Sequence, residues 1–149
     1  MSMFGAFDIN ASGMTAERFR MDTISENVAN ADTTRTQDGT PYRRKVVTFE
    51  QRGERAQSFS SFLGNASSRF KGQGVRVGKV MEDEWTQMKM VYDPSHPDAD
   101  ENGYVTYPNV NIVTEMTNLI DASRAFEANA TAFNASKSIA VKGLEIISQ

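Results

Sequence analysis

The sequence predicts an α+β chain in which long N- and C-terminal helices pair as a coiled-coil-like hairpin around a small β-rich middle segment. Three observations lead there: an apolar seven-residue repeat near the C-terminus, an answering repeat near the N-terminus, and period-two alternation between them.

Ile112, Leu119, Phe126, Phe133, Ala140 and Ile147 fall at strict seven-residue intervals, and Met116, Ala130 and Leu144 stand three places ahead of alternate members. Together they form a coiled-coil seam. One helix over Ile112–Ile147 spans roughly 50 Å at 1.5 Å per residue, more than a chain of 149 residues needs to wrap a compact core. The implication is a strut within an assembly. At the other end Phe7, Met14, Met21 and Val28 are again seven apart, with Ile24 and Ala31 at the second apolar position and polar Asn10 and Glu17 at its earlier repeats. Asn27, Asn30, Asp32, Thr33 and Thr34 end this run after about 24 residues, roughly fifteen fewer than the C-terminal run. Val113, Ile120, Ile139, Val141 and Ile146 widen the apolar arc of the longer helix beyond what one partner helix covers. Copies of the chain or other proteins are the expected sink. The same periodicity also suits a two-helix hairpin closing over a sheet in a monomer.

Between the helices the pattern shortens to Val47 and Phe49, then Val75 and Val77, then Met88, Met90 and Tyr92, which read as strands. Ser58, Ser60, Ser61, Gly64, Asn65, Ser67, Ser68 and Gly72 mark a loop that buries little. The chain therefore divides into a helix over 1–34, a β-rich segment over 35–108 with a flexible loop at 51–74, and a helix over 109–149. Trp85 is expected to share a small core with Phe59, Phe62 and Phe70, the alternative being that these aromatics lie against another subunit. The stretch from Tyr92 to Asn111 is stiffened by Pro94, Pro97 and Pro108 and turned at Gly103. Asn109 or Asn111 can cap the first helical turn, where Glu115 suits the helix dipole.

Composition narrows the function. A net charge of −3 carries no electrostatic footprint for nucleic acid, and the basic group Arg43, Arg44, Lys45, Arg52 and Arg55 reads as a solvated face. The absence of cysteine excludes disulfides, thiolate metal sites and thiol nucleophiles. Met1 to Phe7 lacks the basic start and apolar run of a cleaved secretory signal, and no segment approaches the roughly 20 apolar residues of a membrane span. No membrane insertion is expected.

Asp93-Pro94-Ser95-His96-Pro97-Asp98 holds the residue types of a hydrolytic triad, but sequence neighbours held by two prolines diverge instead of converging on one atom. A lone imidazole among carboxylates also lacks the ligand cluster of a zinc site. Asp98-Ala99-Asp100-Glu101-Asn102-Gly103 matches the first half of a calcium loop, yet Asn109 occupies the twelfth position, where a bidentate glutamate belongs. A polar turn is the plainer reading. No catalytic residue, metal ligand or cofactor site is assigned.

The stretch Tyr92 to Asn111, continued through Glu115-Met116 and Ala122-Ser123-Arg124-Ala125-Phe126-Glu127-Ala128-Asn129, closely resembles the FlgC family of flagellar basal-body rod proteins. Ser12-Gly13-Met14, Arg20-Met21-Asp22 and Ser25-Glu26-Asn27-Val28-Ala29-Asn30-Ala31 resemble the signature shared by rod, hook and hook-associated proteins. The resemblance implies a non-enzymatic subunit of the proximal rod that assembles with other rod subunits and copies of itself. It further implies export through the flagellar type III apparatus without a cleaved signal peptide, and a place in the periplasmic part of the basal body. Asn27 and Asn30 occupy the shared asparagine positions and are expected to fix the helix exit by bonding backbone groups. Another axial role, at the hook or a junction, uses the same terminal repeats; a calcium-binding or hydrolytic protein would depend on the 93–103 turn.

Overall fold

The computed structural model describes residues 3–52 and 73–147. Most of the loop expected over 51–74, with Phe59, Phe62 and Phe70, lies outside the described residues. Two long helices, α1 (Met3–Ala29) and α2 (Ile112–Ile147), flank four short strands, β1 (Lys45–Gln51), β2 (Val75–Glu82), β3 (Lys89–Tyr92) and β4 (Tyr104–Tyr107). The α+β architecture is the one that the two periodicities predict.

The strands form two separate antiparallel pairs, β1 with β2 and β3 with β4. In the first, the register slips between Val47 and Phe49, so β2 carries an extra residue. Thr48 absorbs the bulge: its Oγ1 donates to the Lys79 carbonyl (3.1 Å) and accepts from the Lys79 amide (3.0 Å). Gly74 sets the start of β2. It has φ +84°, and a Cβ there would fall onto Ser12 Oγ, 3.4 Å from Ile9 Cα, so only glycine lets this corner lie against α1. Ser12 Oγ then accepts from the Val75 amide at 3.1 Å, tying β2 to α1.

Strand β4 departs from the sequence reading, which treated this stretch as a rigid connector. It is only four residues long, between Gly103 and Pro108, too short for alternation to register. Yet Val105 is fully buried, and Tyr104, Thr106 and Tyr107 are the aromatic and β-branched types that pleated surfaces favour. Trp85 departs too. It stands 80% exposed, because the turn that carries it is held by its neighbours' polar bonds and not by the indole.

Helices α1 and α2 run antiparallel. Phe7 and Phe133 meet edge to face at 5.0 Å, Gly13 lies under the Asn129 side chain, and Asn27 reaches Glu115. The phase of this pairing differs from the apolar repeat. On α2 the deeply buried positions are Glu115 and Ala122, whereas Ile112 (45%), Met116 (56%) and Leu144 (65%) stand exposed. Leu119, Phe126, Ala130, Phe133 and Ala140 are half-buried beside the contact. On α1 the buried stripe is Gly13, Ala16, Thr23, Ile24 and Asn27, continued just past the helix by Ala31, with Phe7, Met14, Met21 and Val28 half-buried along its margin. Small side chains explain the rotation: Gly13 and Ala16 let the helix backbones approach, and polar pairs then occupy positions that a wider seam would give to leucine. Among the described residues the core hydrophobic side chains are few, and half of them are alanines: Ala16, Ile24, Ala31, Tyr42, Val105 and Ala122.

The register carries a second consequence. Phe7 opposite Phe133 and Asn27 opposite Glu115 place Met3 opposite about Ser138, so the last turns of α2 run past the start of α1.

Candidate functional site

Where α1 ends and α2 begins, a buried polar network holds the two helices and the β segment together. Asn27 is its centre and is wholly buried. Its Nδ2 donates to the Lys45 carbonyl (2.9 Å) and to Glu115 Oε2 (3.0 Å), while its Oδ1 accepts from the Lys45 amide (2.8 Å) and the Tyr42 hydroxyl (2.9 Å). All four bonds available to a carboxamide are made. Glu115, 1% exposed, receives Arg44 Nε and Nη2 at 2.8 Å each on its other oxygen. Burial of this carboxylate is tolerable only because a guanidinium and an amide satisfy it together.

Arg44 continues the network. Its Nη1 lies 3.5 Å from Asp83 Oδ2, and its backbone amide donates to Asn109 Oδ1 at 2.9 Å. Asn109 Nδ2 donates to the carbonyls of Asp83 (2.8 Å) and Thr86 (3.2 Å). Asp83 closes the circuit by accepting from the Thr86 amide and hydroxyl and from the Trp85 amide. Those Thr86 bonds, ahead of the Trp85 amide and the Arg44 charge, hold the Asp83 carboxyl below the usual carboxylate range. Burial, reinforced by the negative charges of Glu26, Glu82 and Glu115, pushes the Tyr42 phenol up to about 12.

Helix α2 is capped by Asn111, whose Oδ1 accepts from the amides of Val113 (3.0 Å) and Thr114 (3.3 Å). Asn109, the alternative cap, is committed to the network. Asn30 differs from Asn27: its Nδ2 donates to the Glu26 carbonyl (2.9 Å) one turn back, and its Oδ1 accepts from Thr33 Oγ1 (3.2 Å). Pro108 is buried beside Asn109 at the entry to α2. Pro94 and Pro97 lie in the exposed β3–β4 connection, which Gly103 closes with φ +80°.

That connection is turned inward upon itself. Ser95 Oγ donates to Asp93 Oδ1 at 2.6 Å, and His96 Nδ1 accepts from the Asp98 amide at 3.1 Å, so the serine and imidazole do not engage each other. Asp98 accepts from Thr34 Oγ1 (2.8 Å) and faces Arg35 (3.5 Å), and Asp100 Oδ1 accepts from the amides of Asn102 and Tyr104. Asp98 clamps the turn to the loop after α1, and Asp100 holds the turn together from within. Among the described residues no three histidine, cysteine or acidic side chains are placed to hold a metal ion.

The outer side of α2 is of another kind. Val113 (75%), Met116 (56%) and Ile120 (52%) share one face at its start, and Ile139 (71%) and Ile146 (78%) share one near its end, while Val141 (46%) and Leu144 (65%) stand exposed on other sides of the helix. Exposed aliphatic side chains concentrated at the two ends of one helix mark a protein contact surface.

Comparison with known proteins agrees at both ends. The family described as flagella basal body rod protein matches residues 7–36, and the one described as flagellar basal body rod FlgEFG protein C-terminal matches residues 101–146. A flagellar basal-body rod protein FlgC from Bacillus subtilis is 45% identical, over 98% of this chain and 99% of its own length. The chain belongs to the FlgC family of flagellar basal-body rod proteins. The FlgC proteins of Borreliella burgdorferi (43% identical, covering 99% of each chain) and Salmonella typhimurium (38%, covering 98% of each) are similar over the same span. It is thus a structural subunit of the flagellar basal body.

Within this FlgC-family chain, sequence reasoning missed Arg44, Tyr42 and Asp83. Arg44 was read with its basic neighbours as a solvated face, but its side chain is 24% exposed and bonded to two acids. The available signal was Glu115: an acid among apolar positions of a helix needs a buried cation.

Proposed function

We propose that this chain polymerises with other rod subunits and with copies of itself into the proximal part of the rod, using the paired helices of residues 1–34 and 109–149 as the axial core. The middle segment, 35–108, faces neighbours laterally. One observation carries this reading: α2 keeps exposed apolar side chains at Val113, Met116 and Ile120 and at Ile139, Leu144 and Ile146 that no other described residue covers. Each large aliphatic side chain withdrawn from water contributes roughly 1.5–3 kcal/mol, so six such positions favour a polymer strongly over a solvated monomer.

In this reading Ile112, Met116 and Leu144 serve neighbouring subunits, while Leu119, Phe126, Ala130, Phe133 and Ala140 serve the pairing with Phe7, Met14, Met21, Ile24 and Val28. The Ile147 side chain lies outside the described residues. In this reading the chain serves as a structural subunit and not as an enzyme, which its membership of a rod-protein family supports. It reaches the periplasm unfolded through the flagellar type III export apparatus; the few buried apolar side chains among the described residues, three of them alanines, suit a chain that must unfold for passage.

The test is Ile139→Asp, introduced at a position that is 71% exposed. The purified variant keeps the wild-type far-UV circular dichroism and urea midpoint, and cells that carry it in place of the wild type assemble no rod and do not swim. Normal motility would overturn the proposal.

A further inference from the structure

The β3–β4 connection carries the chain's one histidine. His96 stands at the joint of two consecutive turns: its amide donates to the Asp93 carbonyl (3.3 Å), and its carbonyl accepts from the Ala99 amide (3.1 Å). Half-buried, its ring lies 6.4 Å from that of Tyr107 on β4, and its Nδ1 accepts from the Asp98 amide at 3.1 Å. Asp98 is also the residue whose carboxylate takes Thr34 Oγ1 (2.8 Å) and faces Arg35 (3.5 Å) in the loop after α1. One imidazole therefore sets the backbone of the residue that ties the β3–β4 hairpin to that loop.

We infer that His96 is a proton-sensitive latch: as a neutral imidazole it holds Asp98 against the loop after α1, and as an imidazolium it lets go. An imidazole nitrogen accepts a hydrogen bond only through its lone pair, and once the ring is charged both nitrogens are donors. The Asp98 amide then faces an N–H, and turning the ring over brings no relief, because the other nitrogen is protonated too. The surrounding charges favour release. On the same turn Asp93 and Asp98 offer carboxylates, while Asp100 Oδ1 is taken by the amides of Asn102 and Tyr104. The Ser95 hydroxyl and amide, ahead of His96, hold the Asp93 carboxyl below the usual carboxylate range, so an anion stands ready for the charged ring. From the other elements, β4 presents Tyr107, with Lys89 of β3 opposite it in the register, and the loop after α1 presents Arg35. An imidazolium here is drawn to Asp93 and competes with Arg35 for Asp98, and both effects loosen the same clamp.

The test follows the purified full-length chain by nuclear magnetic resonance from about pH 7.5 to about pH 5.5, the span over which an imidazole changes charge. A single histidine makes the ring signal unambiguous. As the ring titrates, exchange of the Asp98 amide with water, corrected for that of an unstructured amide at each pH, should quicken about fivefold, the loss of one ordinary hydrogen bond. The Thr34 and Arg35 amide signals should move with the same midpoint. His96→Asn places an uncharged Oδ1 acceptor two residues before the same amide, so Asp98 should stay protected throughout. His96→Phe, an aromatic ring without an acceptor, should show the fast exchange at every pH. A ring that titrates while Asp98 exchange stays constant overturns the latch, and so does an unaltered pH dependence in the His96→Asn variant.

Discussion

Replacing Asn27 by alanine should cost more stability than its size suggests. Four hydrogen bonds are lost at once, to Glu115, to Tyr42 and to both backbone groups of Lys45, around a side chain that is wholly buried. At about 1 kcal/mol for each bond, with the stranded Glu115 oxygen adding to this and water entry offsetting part of it, the loss is about 3–5 kcal/mol. A domain of ordinary stability holds only about 5–15 kcal/mol, so much of the fold is at stake. The midpoint of thermal unfolding should fall by roughly 10 °C. The assay is urea unfolding of the purified chain followed by far-UV circular dichroism, with Asn30→Ala as control. Asn30 donates to the preceding turn at an exposed site, so its replacement should cost below about 1 kcal/mol. Equal midpoints for the two variants would refute the account of the network.

Three further outcomes follow from the same geometry. Gly74→Ala should lose about 1–3 kcal/mol through its φ of +84° and its collision with Ser12; adding Ser12→Ala should recover part of the loss, and full recovery in urea titrations would show that backbone strain is absent. Glu17 Oε2 is buried without a hydrogen bond, and desolvation raises the Glu17 pKa above its ordinary value despite Arg20 at 3.8 Å. A raised folded-state pKa contributes stability below the unfolded value and loses it as pH rises, so Glu17→Gln should raise the melting temperature at pH 7. That gain should vanish near pH 4, and a gain independent of pH would contradict the assignment. Tyr42, raised from 10.0 to about 12, likewise contributes stability that is intact below pH 10 and lost between there and pH 12. Tyr42→Phe should flatten that alkaline slope in melting curves recorded at each pH, and an unchanged slope would place the titration elsewhere.

The helices were legible in the sequence because periodicity is a local property: residues seven apart share a face whatever they pack against. The phase of their pairing was not. The apolar repeat of Ile112, Leu119 and Phe126 points to one stripe, but Gly13 and Asn129 set the closest approach, and neither carries an apolar signal. Strand β4 hid in four residues, where alternation has no room to appear. Trp85, the residue best suited by composition to a core, stands exposed on a turn fixed by Asp83.

By itself the sequence determined two long helices of unequal length, a β-rich middle and a surplus of apolar surface, since each follows from spacing and composition along the chain. Only the tertiary structure decided which face each helix buries and which residues are left for neighbours. Asn27, Arg44, Asp83, Asn109 and Glu115 lie far apart in the chain, and the bonds that let polar groups displace leucine from the helix contact exist only once folding has brought them within 3.5 Å.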